Sequence, residues 1–144
     1  METSSKGLEL IKQHEGCRLR AYKCPAGVWT VGYGSTRGVN QWTEITRQEA
    51  EVRLREDLRT AERTVEKVRY LQSRLTQCQF DALVSFVFNV GSGNFEKSTL
   101  RKKVLANPAD GSIRDEFLKW IHANGKPLEG LRKRRQDEAE LYFS

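Results

Sequence analysis

The chain has 144 residues, 38% of them hydrophobic, and a mean hydropathy of −0.67. That is long enough for one domain to bury most of its apolar surface without staples, and too apolar for a disordered tract. Its 25 Lys and Arg against 19 Asp and Glu leave a formal charge of +6 and a pI near 9.4, which favours polyanionic partners: nucleic acid, anionic lipid and bacterial wall polymers all qualify. Residues 1–6 are polar and Glu9 interrupts the run from Leu8 to Ile11, so neither a transmembrane segment nor an export signal is expected. Cys17, Cys24 and Cys78 are odd in number and form no C-x-x-C pair, which supports neither a zinc site nor a secreted disulfide framework. No metal or cofactor is expected.

Leu8 and Ile11 sit three apart and Glu15 follows by four, so a first helix carries this carboxylate at the C-terminal end of its apolar face. A half-buried carboxyl favours its protonated form, as a general acid requires. Gly16 should stop the helix, and two strands over 19–23 and 28–33 should form a hairpin about Cys24-Pro25-Ala26-Gly27. With the turn centred on 25–27, Cys24 pairs near Val28 and Tyr22 near Thr30, which puts Cys24 and Thr30 diagonally on one face. Trp29 is expected in the hairpin core. Gly32 and Gly34 let a ligand approach the backbone or the strand bend. Taken singly, Glu15 reads as a solvated or capping charge and Thr30 as a strand former.

Residues 35–44 are turn-rich. Thr46-Arg47-Gln48-Glu49 is a capping box that predicts one long helix over 47–68, striped by Ala50, Leu54, Leu58 and Ala61 and polar elsewhere, as a connector between two lobes would be. A helix over 76–90 bearing Phe80, Leu83, Val84, Phe86, Val87 and Phe88 reads as the core of the larger lobe. Cys78 at its start reads as a small buried hydrophobe. A loop at 89–94 follows, then helices over 98–105, capped at Ser98, and 112–122, a loop at 124–127, and a basic helix over 130–143. The run Arg132, Lys133, Arg134, Arg135 is either a solvated face or an attraction for anionic wall or outer-membrane polymers. Zinc-finger spacing, ribonucleoprotein aromatics and a basic region joined to heptads are all lacking, so nucleic acid is not expected as a partner.

Glu15, eight residues, Cys24, five residues, Thr30, then Val-Gly-Tyr-Gly resembles the phage lysozymes (endolysins) of glycoside hydrolase family 24, whose pattern is Glu, eight residues, Asp or Cys, five residues, Thr. Residues 79–83, 88–91, 98–100, Trp120 and 130–135 resemble their counterparts in that family, so the likeness spans nearly the whole chain. It implies an α+β, lysozyme-like fold in a single catalytic domain, residues 1–144. A small helix-plus-β-hairpin lobe (about 12–46) would be joined by the helix over about 47–68 to a larger all-helical lobe (about 69–144). It also implies a muramidase cleaving the β-1,4 bond between N-acetylmuramic acid and N-acetylglucosamine in peptidoglycan. A monomer is expected, and with no export signal the protein is expected to wait in the host cytoplasm until a membrane hole admits it to the wall, unless an anchor segment has been removed. The resemblance makes Glu15 the catalytic acid and Cys24 and Thr30 the groups that hold the attacking water. Phe88, Asn89, Ser98 and Thr99 become candidates for the sugar-binding wall. Many members of the family carry Asp where this chain has Cys24, which is its main departure from the pattern. A thiol serves as base only as a thiolate, which the neighbouring Arg18, Arg20 and Lys23 would favour. Some endolysins resembling this one carry a pair like Cys17 and Cys24 and are held inactive by that disulfide, so a regulatory bridge between these two is a further expectation.

Overall fold

The computed structural model describes all residues, 1–144. Its elements in chain order are α1 (Ser5–Glu15), β1 (Arg18–Lys23), β2 (Trp29–Gly32), α2 (Arg47–Asp57), α3 (Arg59–Leu71), α4 (Gln77–Val90), α5 (Ser92–Glu96), α6 (Thr99–Ala106), α7 (Ile113–Leu118), β3 (His122–Ala123), β4 (Lys126–Pro127) and α8 (Glu129–Tyr142). No helix is long and apolar enough to cross a membrane. The chain forms two compact units, residues 11–59 in one and residues 1–10 with 60–144 in the other.

In the smaller unit, α1 ends where Gly16 takes φ +69 while its N–H still donates to the Lys12 carbonyl, the left-handed stop that glycine provides without a Cβ penalty. The hairpin has the expected register: β1 and β2 are antiparallel with Tyr22 opposite Thr30 and Lys23 opposite Trp29, and the Cys24 N–H donates to the Val28 carbonyl. Arg18 lies opposite Gly32, so β1 carries extra residues before Tyr22. That irregularity turns Leu19 and Ala21 to a second neighbour: Ile45 N–H donates to Leu19, and Ala21 N–H to Thr43. Trp29 is only half buried, with the Lys23 ammonium over its ring, so it covers the hairpin rather than filling its core; Val31 and Tyr33 do that.

The predicted helix over 47–68 is divided at Leu58, which keeps right-handed helical backbone and donates to Leu54, but the regular ladder lapses there and α3 begins at Arg59. Thr46 and Glu49 satisfy each other's backbone N–H groups, as do Thr76 and Gln79 at α4. Both capping boxes use up donors that a helix start would otherwise leave orphaned.

In the larger unit α4 is buried almost all round, from Phe80 to Val87. Phe86 is its hub: the rings of Phe95, Phe117 and Trp120 meet it edge-on at 6.1, 5.6 and 5.7 Å, each such contact adding about 0.5–1.5 kcal/mol to simple burial. Gly7 on α1 packs so closely that a Cβ there would come within 2.8 Å of Asp81, and buried Asp81 accepts from the Ser4 N–H, the Ser4 hydroxyl and Gln77. Two features were not expected. Ser92–Glu96 is helical, anchored by fully buried Phe95, and α7 ends at Leu118, giving way to the β3–β4 hairpin turned by Asn124 and Gly125, both at positive φ. The larger unit is therefore not purely helical. Cys78 is half buried, not enclosed.

Candidate active site

Three short pieces of the smaller unit carry the motif: the last turn of α1, the turn between β1 and β2, and β2 itself. Glu15 is half buried at the end of α1. Its Oε2 lies so near the turn after β2 that a Cβ built on Gly34 would be 3.8 Å from it. Gly34 has φ +91, so a side chain there would be strained while resting at ordinary contact distance from the carboxylate. The turn is closed by Val31 and Ser35, which exchange both backbone hydrogen bonds at 2.9 Å. Arg53 of α2 holds it from outside, donating to the Ser35 hydroxyl and the Arg37 carbonyl.

Cys24 sits where the hairpin turns, with Gly27 at φ +79 donating to the Cys24 carbonyl at 2.8 Å. The backbone amides of Val28 and then Ala26 are the main causes that pull the Cys24 thiol below its ordinary pKa. The cause differs from the expected one. Backbone amides, not Arg18, Arg20 and Lys23, favour the thiolate: Arg18 lies over the Tyr22 ring, Arg20 pairs with Glu44, and Lys23 covers Trp29.

Thr30 is buried, and its hydroxyl donates to the Val28 carbonyl at 2.9 Å. Cys24 and Thr30 are thus brought together, as the hairpin register requires. Cys17 has a different partner: it hydrogen-bonds buried Tyr33, whose phenol is pushed up, by burial first and by Cys17 next. All three cysteines are free thiols.

In the larger unit Phe88 is half buried and Asn89 exposed near the end of α4. Ser98 and Thr99 part company. The Ser98 hydroxyl is buried, donates to the Phe95 carbonyl at 2.6 Å and accepts the Arg101 N–H, so it is committed to capping α6. Thr99 is exposed.

The basic run of α8 is not the uniform face its composition suggests. Arg134 and Arg135 are buried, 4% and 0% exposed, because both pair with Glu138, itself 0% exposed. Lys133 pairs with Asp137 and Arg132 with Glu129. Only Arg132 and Lys133 present charge to solvent, and each is partly neutralised, which removes the expected four-residue anion-binding patch. Glu138 at i+3 from Arg135 and i+4 from Arg134 is the sequence signal for this; burial is what spacing alone does not report.

A small unit of helix and hairpin carrying an acid, a thiol and a hydroxyl at this spacing, with a helical unit beside it in sequence, defines a lysozyme-like glycosidase. The family model described as Phage lysozyme matches residues 12–138, and the chain belongs to that family. It is 48% identical to the endolysin of Acyrthosiphon pisum secondary endosymbiont phage 1, over 100% of this chain and 99% of that one. Among solved structures it is similar to a P22 lysozyme variant (TM-score 0.90, 33% identity, covering 100% of this chain and 99% of that chain). It is also similar to the muramidase domain of SpmX from Asticaccaulis excentricus (TM-score 0.89, 34% identity, 99% and 98%).

Proposed function

We propose that Glu15, Cys24 and Thr30 carry the chemistry of a peptidoglycan hydrolase. The chain is an endolysin-type lysozyme, a muramidase that cleaves the β-1,4 bond between N-acetylmuramic acid and N-acetylglucosamine and so lyses the host cell. The observation that most supports the site reading is the hairpin register, which brings Cys24, its thiol pulled below the ordinary pKa by neighbouring backbone amides, beside Thr30 in the same unit as the half-buried Glu15.

In this reading the Glu15 carboxyl gives its proton to the glycosidic oxygen as the C1–O bond breaks and positive charge develops at C1. Water held by Thr30 and Cys24 adds to C1 from the other face, and its proton passes to the Cys24 thiolate. The lowered thiol pKa is what lets a cysteine take that proton near neutrality. Thr30 donates its one hydrogen to the Val28 carbonyl, which leaves its lone pairs to accept from the water. Glu15 ends as carboxylate and Cys24 as thiol, and proton exchange with solvent resets both. Because the motif holds one carboxylate, the anomeric configuration inverts. Glu15→Gln tests the acid: loss of lysis with retained fold and wall binding supports it, and unchanged lysis removes it. NMR of the first-formed anomer tests the stereochemistry.

On the larger unit Phe88, Asn89 and Thr99 are the proposed sugar contacts, with Ser98 setting the start of α6. Access to the wall would follow a membrane hole, the enzyme waiting in the host cytoplasm; expression with and without membrane permeabilisation tests this, and lysis without permeabilisation would overturn it.

Cys17 and Cys24 flank β1, and six strand residues separate them by on the order of 20 Å, whereas a disulfide needs Cα atoms within about 7 Å. A Cys17–Cys24 bridge would therefore exclude β1 as it stands, take both thiols from their present partners and silence the site. Lytic assays with and without reductant, on wild type and Cys17→Ser, test it; activity indifferent to both ends the idea.

A further inference from the structure

Beneath Asn89 lies a group that the reaction above does not use. Arg135 is the last of four consecutive cations, yet its side chain is 0% exposed. Its guanidinium lies 5.0 Å from the centroid of the Phe86 ring, and its Nε stands 2.9 Å from Glu138 Oε1 without the alignment of a hydrogen bond. Glu138 is anchored in turn, Oε2 accepting from the Ser85 hydroxyl at 2.6 Å and from Arg134 Nε at 3.3 Å. The Arg135 guanidinium donates from Nη2 to Asn89 Oδ1 at 2.6 Å, while Nη1 has no partner in the protein. A buried guanidinium with an unsatisfied arm is costly, and packing alone gives no reason to hold one there.

A guanidinium can only donate, and a side-chain amide has one accepting and one donating end. Arg135 can therefore hold Asn89 in one way only, with Oδ1 turned inward, which turns Nδ2 and its two hydrogens towards solvent. We propose that Arg135 is a positioning residue that locks Asn89 as an outward hydrogen-bond donor, and that this donor selects the acetamido carbonyl of an N-acetylated sugar. The inference rests on the reading of Asn89 as a sugar contact. A carbonyl can only accept, so it suits a fixed donor; the ammonium of a de-N-acetylated sugar can only donate and is refused. Fixing the amide beforehand spares the complex the ordering of that side chain.

The test compares intact sacculi with chemically de-N-acetylated sacculi from the same batch, using the full chain. Asn89→Ala is expected to raise KM about tenfold on acetylated wall, the worth of one well-formed hydrogen bond, with kcat little changed and no rise on de-N-acetylated wall. Asn89→Asp keeps an acceptor for Arg135 but has no donor, so it should lose as much on acetylated wall and gain on the amine-bearing one. Arg135→Lys should show the acetylated-wall penalty alone. An equal KM penalty on both substrates in Asn89→Ala overturns the proposal, as does a wild-type KM for Asn89→Asp on acetylated wall. Arg135→Lys that lowers the melting temperature without moving the ratio of the two KM values also overturns it. No effect of Asn89→Ala on either substrate instead removes Asn89 from the sugar site. If Arg135→Lys does not fold, the two Asn89 variants decide.

Discussion

The two units hold their chemical groups by different means. In residues 11–59, Cys24 and Thr30 are governed by main-chain atoms: turn amides that lower the thiol pKa and a carbonyl taking the hydroxyl hydrogen. Glycines at positive φ shape the same turns. In residues 60–144, Asn89 is governed by a buried side-chain assembly, Arg134, Arg135, Glu138 and Ser85, set against the aromatic hub of Phe86. Main-chain control belongs to the hairpin's own conformation and tolerates side-chain change nearby. Side-chain control depends on charges without water, each of which becomes a liability if its partner is removed.

Four tests sharpen or break this contrast, the largest expected effect first. Glu15→Gln should lower lytic turnover by about a thousandfold, within the range of general acid catalysis, with melting shifted little because the residue is half exposed at a helix end; a large loss of stability would make it structural. Glu138→Ala should act in the opposite sense, costing about 3–5 kcal/mol by leaving two buried guanidiniums uncompensated, read as a melting drop of roughly 10–15 °C. A shift of only a degree or two would show that this assembly is not what holds the larger unit. Thr46→Ala and Thr76→Ala remove one capping box from each unit, and each should cost about 1 kcal/mol in denaturant melts. Unequal losses would mean that α2 and α4 do not share the same dependence on their first turns. The smallest effect is a titration. Because the folded state lowers the Cys24 pKa and the thiolate is the reactive form, its iodoacetamide reactivity should rise at a lower pH than that of free cysteine. Thr30→Val should leave most of that lowering in place, since the backbone amides are its larger cause; a rise returned to the pH of free cysteine would make the hydroxyl the main cause.

What was legible in the sequence was what the chain fixes locally. The hairpin register followed from Pro25 and Gly27 between alternating residues, and with it the meeting of Cys24 and Thr30. The capping boxes at Thr46 and Thr76 and the cap at Ser98 are likewise written within three residues. Asn124-Gly125 is a two-residue hairpin turn, and a stretch set aside as loop could have been read as β3–β4 from it. Ser92–Glu96 was hidden by Gly93, Asn94 and the preceding Gly91, and only the burial of Phe95 makes it a helix. The division at Leu58 leaves no local mark, because Leu54, Leu58 and Ala61 keep their spacing across it. Least legible were Arg134 and Arg135: a run of four cations resembles a solvated face until α4 is laid against it.

The enclosed charges on α8 constrain how this sequence can drift. Losing one guanidinium strands Glu138, and losing the acid strands two cations, yet replacing the whole set with well-packed apolar residues can be nearly neutral. Positions 134, 135 and 138 should therefore vary as a block across descendants of this chain, and a lineage that abandons the block would also release Asn89 from its tether.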